Sequence, residues 1–506
     1  MGNKREAGIL MPIFSLPGKY GIGCFSKEAY KFVDFLVEAK QSLWQILPLG
    51  PTSYGDSPYQ SFSTFAGNPY FIDLETLVEE GLLTKEDCEK YDVLDSESDI
   101  KYGDLYEKRF KVLRISFENF KKNKNPLFEK FIKENSSWLE DYALFMAVKA
   151  TFGDQSLAYW DEDIRKREPK AMKEYKDRLK DDVDFYMYLQ FKFDEQWKAL
   201  KEYANKNGVK IVGDIPIYVS GDSSDVWAEK ELFEVDEDLN AINVAGCPPD
   251  GFAVKGQLWG NPLYAWPNHK KTNYDWWKRR IRKCAEWYDV IRIDHFRGFD
   301  AFYSIDAKAE DAVNGKWRKG PGKDLFKALK PELEKTNTGI IAEDLGFMTE
   351  SVKKLVKDTG FPNMKVLEFA FDVDDTEGHN DFLPFNYSKN CIAYTGTHDN
   401  STVKGWLKDL DRETYNYVCK FVNANPKDKN EVVDGMVREV IASPANLAVI
   451  PMQDYLHLDD KARINIPSTL GENWRWRMKP NALTERLALR IADLTVTYSR
   501  VSKKGK

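Results

Sequence analysis

Four acidic side chains follow short apolar runs that have the composition of buried strands. They are Asp214, Asp294, Glu343 and Asp399. Parallel strands that close into a barrel bring their carboxyl ends to one rim, so we expect these side chains to converge there. Crowding and burial force the pKa values of neighbouring carboxyls apart, which provides one carboxylate and one protonated carboxyl. The cleavage of a glycosidic bond requires such a pair.

The catalytic roles can be divided among these carboxyls. We assign Asp294 as the nucleophile that attacks the sugar carbon and Glu343 as the general acid and base, about 5–5.5 Å apart in a retaining arrangement. Asp399 is expected to hold hydroxyl groups of the distorted sugar ring. Arg292 lies two residues before Asp294, so both side chains share one strand face and the cation favours an ionised Asp294.

Each of these residues also has a structural explanation. An aspartate at a strand end is often a helix N-cap, although four of them in barrel register make that explanation weaker. Asp294, His295, His398 and Asp399 could together bind a metal ion, but no His-x-x-x-His pair or cysteine cluster accompanies them. We therefore expect no metal, and the two histidines could instead donate hydrogen bonds to sugar hydroxyls.

The elements that must position these residues are short strands separated by amphipathic helices. The predicted strands span residues 43–47, 70–73, 211–215, 290–293, 340–342, 365–369, 392–395 and 447–450. Helical spacing of apolar residues predicts helices over 25–39, 325–335 and 349–359. This alternation predicts an α/β fold, a (β/α)₈ TIM barrel with helical insertions between barrel strands.

Two stretches interrupt the strand–helix alternation. Residues 75–205 are charge-rich and mainly helical in pattern, and residues 222–285 are rich in Trp, Tyr, Pro and Gly. We expect one catalytic barrel over residues 1–506, with both stretches as insertions in it.

Composition limits the class of protein. Of 506 residues, 42% are hydrophobic and 14% aromatic, which excludes disorder as the main state. The net charge of −7 argues against nucleic acid as a partner. There is no run of 18 apolar residues to span a membrane and no signal peptide, and the six cysteines form no C-x-x-C pair. We expect a cytoplasmic protein with reduced thiols.

Three longer motifs extend the pattern beyond the strand ends. They are SPYQSFSTFAGNP at 57–69, GDIPIYV at 213–219 and PPDGFAVKGQLWGNP at 248–262. With the four acidic strand ends, they resemble the 4-α-glucanotransferases (amylomaltases or disproportionating enzymes) of glycoside hydrolase family 77. Similar segments extend from Gly8 to Arg477, which is nearly the whole chain.

The resemblance implies a role for each matching residue. It implies a retaining mechanism with Asp294 as nucleophile, Glu343 as acid and base and Asp399 as transition-state stabiliser. The implied sugar contacts near the cleaved bond are Tyr59, Asp214, Arg292 and His398. A flexible loop that covers the substrate is implied at Asp250, Gly256, Gln257 and Trp259, and the C-terminal motif adds Asn465 and Trp474. Tyr59, Phe252 and Trp259 are candidate platforms for an acceptor sugar, although Phe252 could equally belong to the core.

The implied reaction moves an α-1,4-glucan segment from a maltooligosaccharide or starch-like donor to the 4-hydroxyl of an acceptor glucan or glucose. We expect no cofactor and no membrane or nucleic-acid partner, and the chain is expected to act as a monomer or homodimer. A hydrolase on the same barrel and a non-catalytic glucan-binding protein are the alternatives.

Two segments depart from the family pattern. Residues 456–459 read LHLD where the family often has LGLG, and residues 465–468 read NIPS where it often has Asn-x-Pro-Gly. These differences leave the local loop shape and the outer sugar contacts open.

Overall fold

A computed structural model describes residues 4–53, 55–91, 99–249 and 253–502. Within these ranges the strands are β1 (Glu6–Leu10), β2 (Leu43–Gln45), β3 (Lys210–Ile215), β4 (Asn243–Cys247), β5 (Gln257–Pro262), β6 (Val290–Ile293), β7 (Ala301–Asp306), β8 (Lys316–Lys319), β9 (Gly339–Ala342), β10 (Asn363–Val366), β11 (Cys391–Tyr394) and β12 (Leu447–Pro451).

Helices surround these strands. The α-helices are α1 (Lys27–Glu38), α2 (Leu74–Glu79), α3 (Lys85–Lys90), α4 (Tyr102–Phe120), α5 (Pro126–Glu134), α6 (Leu139–Thr151), α7 (Glu162–Arg165), α8 (Pro169–Arg178), α9 (Lys180–Lys206), α10 (Ser224–Ala228), α11 (Trp266–Lys271), α12 (Asp275–Trp287), α13 (Lys323–Thr336), α14 (Glu350–Thr359), α15 (Val403–Asp409), α16 (Arg412–Phe421), α17 (Lys429–Ala442), α18 (Met452–Tyr455) and α19 (Glu485–Thr497).

Eight of the strands close into a parallel barrel. Their order around it is β1, β2, β3, β6, β9, β10, β11, β12, and β12 pairs with β1. This arrangement confirms the predicted (β/α)₈ fold. The register pairs Asp214 with Arg292 and Ile293 with Ala342, so the chain segments after β3, β6 and β9 emerge side by side at one rim.

The barrel interior is a packed apolar core. It is filled by Leu10, Leu43, Val212, Val290, Ile341, Met364, Ile392, Tyr394, Leu447 and Val449. Because side chains fill the cylinder, a substrate can reach the strand ends only from the rim. None of the helices in the described part of the chain combines the length and the apolar character needed to cross a lipid bilayer.

Two of the predicted strands differ from the structure, and one barrel strand was not predicted. The predicted strand over 70–73 is wrong: Pro69–Phe71 is a 3₁₀ turn capped by the Asn68 side chain, and Asp73 caps α2. Pro69 favours the turn because it has no N–H to give to a sheet ladder. The first barrel strand is Glu6–Leu10 instead, and the strand predicted over 365–369 begins and ends earlier, at Asn363–Val366.

The two interrupting stretches have different structures. Between β2 and β3 the described residues form helices α2 to α9, together with short 3₁₀ turns. The second stretch contributes β4 and β5 to a four-stranded antiparallel sheet in the order β5, β4, β7, β8, which the sequence patterns did not predict. The division of the chain into one barrel with two insertions stays a prediction.

Candidate active site

A buried ion pair lies at the carboxyl ends of β3 and β6. The Asp214 side chain is fully buried, and Nη1 of Arg292 donates to both of its oxygens at 2.7 and 2.6 Å. The Tyr59 hydroxyl donates to Asp214 Oδ2 at 2.9 Å. Gly213, the residue before Asp214, lets β3 pack closely on the Tyr288 ring, because a Cβ there would lie 2.2 Å from that ring. The pair therefore fixes both Arg292 and Tyr59 below the rim.

Arg292 also contacts Asp294. Its Nη2 lies 3.1 Å from Asp294 Oδ1, as the shared strand face predicts. The Asp294 side chain is 31% exposed, whereas that of Arg292 is 3% exposed. Asp294 thus faces the open rim with a buried cation behind it.

Glu343 is held by two backbone amides. Its Oε2 accepts a hydrogen bond from the N–H of His295 at 2.6 Å, and its Oε1 accepts one from the N–H of Leu345 at 2.7 Å. His295 follows Asp294 directly and adopts a left-handed conformation with φ of 52°. The Glu343 carboxyl therefore lies against the turn that carries Asp294.

The electrostatic environment raises the pKa of both carboxyls. Burial raises the pKa of both Asp294 and Glu343 above the ordinary carboxyl range, and the Arg292 guanidinium opposes the rise at each. The charge on Glu343 further raises the pKa of Asp294. Arg292 makes its 3.1 Å ion pair with Asp294, whereas the amides of Leu345 and His295 lower the pKa of Glu343, so different partners oppose the rise at the two carboxyls.

Asp399 lies after β11 and is oriented by its neighbours. Its Oδ1 accepts a hydrogen bond from Asn465 Nδ2 at 2.7 Å and lies 3.4 Å from Nε2 of His398. Burial lowers the pKa of His398, so its ring is neutral near pH 7. A neutral imidazole can donate a hydrogen bond without adding a charge.

Three rings line the side of the site near Asp399. The Tyr59 and His398 rings stack with centroids 5.2 Å apart and an interplanar angle of 14°. The Trp474 ring lies 5.8 Å from Tyr59 and 6.0 Å from His398. Trp474 is only 4% exposed. It therefore packs against the stacked pair, and its direct contact with a sugar stays a prediction.

The segment implied to cover the substrate is described only in part. Asp250 and Phe252 lie outside the described residues. The Trp259 ring meets the His295 ring edge-on with centroids 4.8 Å apart, and its Nε1 donates to Gln257 Oε1 at 3.0 Å. Gly256 has φ of 68° at the start of this strand. Gln257 and Trp259 are thus brought next to the Asp294 turn, while Gly256 shapes the backbone that leads to them.

Arg463 is a site residue that the sequence patterns did not identify. It donates to the Asp399 carbonyl at 2.7 Å, to the Asn465 carbonyl at 2.8 Å and to Ser401 Oγ at 3.0 Å. It therefore ties the loop of Asp399 to the C-terminal motif. No strand or helix pattern surrounds Arg463. Its position two residues before Asn465 is the one feature of the sequence that could have indicated a place in the site.

No three His, Cys, Asp or Glu side chains in the described ranges are placed as a group that could hold a metal ion.

The chain is similar to known proteins over almost its full length. The family model described as 4-alpha-glucanotransferase matches residues 11–484. The 4-alpha-glucanotransferase of Clostridium butyricum is 48% identical over 503 residues, covering 97% of this chain and 100% of that protein. The Streptococcus pneumoniae 4-alpha-glucanotransferase is 48% identical over 503 residues, covering 99% and 98%. The solved structure of amylomaltase from Streptococcus agalactiae in complex with acarbose matches with a TM-score of 0.95 and 42% identity, covering 99% and 100%.

Proposed function

The chain belongs to the 4-alpha-glucanotransferase family, and we propose that it transfers α-1,4-glucan segments through a covalent glycosyl intermediate on Asp294. The donor is a maltooligosaccharide or a starch-like glucan. The acceptor is the 4-hydroxyl of another glucan or of glucose. Since one α-1,4 bond is broken and one is made, the reaction needs no sugar nucleotide as a source of energy.

In the first step, an Asp294 oxygen attacks the anomeric carbon and the bond to the departing 4-oxygen breaks. Glu343 gives its proton to that oxygen, so the leaving glucan departs as a neutral alcohol. The 3.1 Å contact with Arg292 supports the charged state that the nucleophile needs. The raised pKa of Glu343, which follows from its burial, supports its protonated state.

In the second step, the acceptor reverses this chemistry. Glu343, now a carboxylate, removes the proton of the acceptor 4-hydroxyl. The acceptor oxygen attacks the anomeric carbon, and the bond to Asp294 breaks. Two inversions at the same carbon give net retention of the α configuration.

Asp399, Tyr59 and His398 would hold the sugar whose anomeric carbon reacts. Asp399 has one oxygen oriented by Asn465 at 2.7 Å, which supports a fixed hydrogen-bond acceptor for sugar hydroxyls. The half-buried Tyr59 ring, which stacks on the buried His398 ring, offers a flat wall beside it. Groups fixed before binding do not have to reorganise as the sugar distorts toward the transition state.

One hydrogen bond carries the proposal, the 2.6 Å bond from the His295 amide to Glu343 Oε2. It joins the proposed proton donor to the residue that follows the proposed nucleophile. Transfer rather than hydrolysis would follow where water is kept from the intermediate. Trp259, beside His295, is our candidate for that shielding.

Incubation with maltotriose tests this function. A glucanotransferase gives glucose and longer oligosaccharides with little gain in total reducing ends. A steady rise in reducing ends would instead identify an α-glucan hydrolase, and binding without any product would identify a non-catalytic glucan-binding protein. The Asp294→Asn variant, assayed in parallel, controls for contaminating activity.

A cytoplasmic location is also part of the proposal. Buried free thiols support a reducing compartment, and they are those of Cys24, Cys88, Cys284, Cys391 and Cys419. Burial raises the pKa of Cys88 and Cys284 to about 11, so these two thiols are unreactive at neutral pH. The expected monomer or homodimer can be decided by light scattering on the purified chain.

A further inference from the structure

Two exposed aromatic rings share one buried cation near the proposed active site. Trp317, on the edge strand β8, is 40% exposed and Phe347 is 68% exposed. The Arg297 guanidinium carbon lies 3.9 Å from the centre of the Trp317 ring and 5.8 Å from that of Phe347. Arg297 itself is 4% exposed. The cation thus anchors two rings whose own surfaces remain open to solvent.

The anchoring fixes the rings before any ligand arrives. Arg297 Nη1 donates to the Phe347 carbonyl at 2.6 Å, which ties the backbone of that residue to the cation. Trp317 pairs with Tyr303 across β7 and β8, and their rings meet edge-on at 5.1 Å. A ring that is already held in place loses little conformational freedom when a ligand stacks on it.

These contacts join the two chain segments that carry the proposed catalytic carboxyls. Arg297 is the third residue after Asp294, in the 3₁₀ turn Phe296–Phe299. Phe347 is the fourth residue after Glu343, in the segment whose Leu345 amide binds the Glu343 carboxyl. The aromatic pair is therefore continuous with the turns after β6 and β9.

The chemistry of the acid and base decides which sugars would meet these rings. Glu343 would protonate the oxygen of the leaving glucan and later deprotonate the acceptor hydroxyl, so both of these molecules bind on its side of the broken bond. Phe347 follows Glu343 along the same segment.

We propose that Trp317 and Phe347 form an acceptor platform, which stacks against the second and later glucose units of an α-1,4-linked acceptor. The proposal rests on the proposed transfer function and adds a determinant of acceptor length to it. A single glucose occupies only the position next to the broken bond, so the platform distinguishes oligosaccharide acceptors from glucose.

A competition between labelled acceptors tests the platform. Unlabelled maltoheptaose serves as donor, with ¹³C-glucose and ¹³C-maltotriose present together, and mass spectrometry follows elongation of each label. Trp317→Ala and Phe347→Ala should each lower the preference for maltotriose over glucose by about tenfold, because a flat apolar face is lost. The matched control is Leu489→Ala, at a 56% exposed side chain on α19, which should leave the preference unchanged.

Arg297→Lys tests the anchor separately from the rings. Lysine keeps the charge but lacks the planar group that stacks on Trp317, so the same preference should fall while Trp317 and Phe347 are still present. Trp317→Phe, which retains a ring, should restore most of the preference that Trp317→Ala loses.

An unchanged acceptor preference in both alanine variants would overturn the platform. A change in donor-length dependence without a change in acceptor preference would overturn it as well. If the unmodified protein elongates neither label, the proposed transfer function itself is wrong. If it elongates both and the variants match it, only the platform is wrong.

Discussion

Replacing Glu343 with glutamine separates proton donation from the other roles of this side chain. General acid and base catalysis contributes about 10²–10⁴ in rate, which corresponds to about 2.7–5.4 kcal/mol at 1.36 kcal/mol per tenfold. The carboxylate also accepts two backbone hydrogen bonds, from His295 and Leu345. A glutamine amide has one acceptor oxygen, so one buried N–H loses its partner at a cost of about 1–3 kcal/mol.

Loss of the proton and loss of the hydrogen bond can be separated by changing the donor substrate. The sugar released from maltotriose leaves as an alcohol and needs the proton, whereas α-maltosyl fluoride releases fluoride without one. With maltotriose we expect Glu343→Gln to lose about 10²–10⁴ in rate. With the fluoride donor, release of fluoride should stay within about tenfold of the unmodified protein, because the lost hydrogen bond costs free energy in the ground state and the transition state alike and so largely cancels in the rate. The glycosyl intermediate should then accumulate and add one maltosyl unit to the protein mass.

Two further variants complete this experiment. Glu350→Gln is the matched control, because it makes the same exchange at a 90% exposed carboxyl on α14 that has no proposed part in the chemistry. It should keep the rate with both donors. Asp294→Asn should fail with both donors, because the nucleophile is missing in each case. Equal losses with maltotriose and maltosyl fluoride in Glu343→Gln would refute the assignment of Glu343 as the proton donor.

Three other predictions follow from the same contacts. Activity should fall as pH rises through the pKa of Glu343, because the protonated form is the proposed proton donor and burial raises that pKa. Fluoride release by Glu343→Gln should not show this fall at alkaline pH. Asp214→Asn should lower the free energy of unfolding in urea by about 3 kcal/mol, the low end for a broken buried ion pair, because Arg292 keeps Asp294 as a partner. Trp259→Ala should raise the ratio of hydrolysis to transfer with maltotriose, and an unchanged ratio would exclude Trp259 from shielding the intermediate.

The end of the barrel that carries the proposed site could be predicted because it follows from strand direction. Runs such as 290–293 are short and rich in Val and Ile, and they are followed directly by a charged residue. Once such runs are parallel, the residues after them must meet at one rim. The contact of Arg292 with Asp294 followed in the same way from the period of a strand.

Elements whose stability depends on distant partners could not be predicted in this way. Glu6–Leu10 contains a glutamate and a glycine, and Glu6 is accommodated by Lys210 at 2.9 Å, a residue remote in sequence. The edge strand Lys316–Lys319 is exposed throughout, so it has no alternation of buried and exposed residues. The antiparallel sheet, and with it the placement of Trp317, depends on pairing with β7 rather than on local pattern.

The two departures from the family pattern have a backbone explanation. His457 and Ser468, which stand where the family often has glycine, adopt left-handed conformations with φ of 53° and 63°. A non-glycine residue in this region costs about 1–2 kcal/mol. His457 is held there by Asp434 at 2.8 Å. Replacing glycine by His457 and Ser468 therefore raises the conformational free energy of these turns, while the backbone keeps the left-handed conformation that glycine favours.

Four carboxyls at one rim would repel one another if water were their only partner. Asp214 is fully buried and accepts hydrogen bonds from Arg292 Nη1 and from the Tyr59 hydroxyl, while Arg292 Nη2 remains directed at Asp294. Glu343 is compensated differently, by neutral amide dipoles that favour its charged form without fixing it there. The Arg292 charge acts on both carboxyls, but it is in contact with Asp294, whereas Glu343 is in contact with amide dipoles, so their surroundings are unequal before any sugar binds. In the proposed mechanism this difference would let Asp294 attack while Glu343 carries the proton, and the strands build it before any substrate binds.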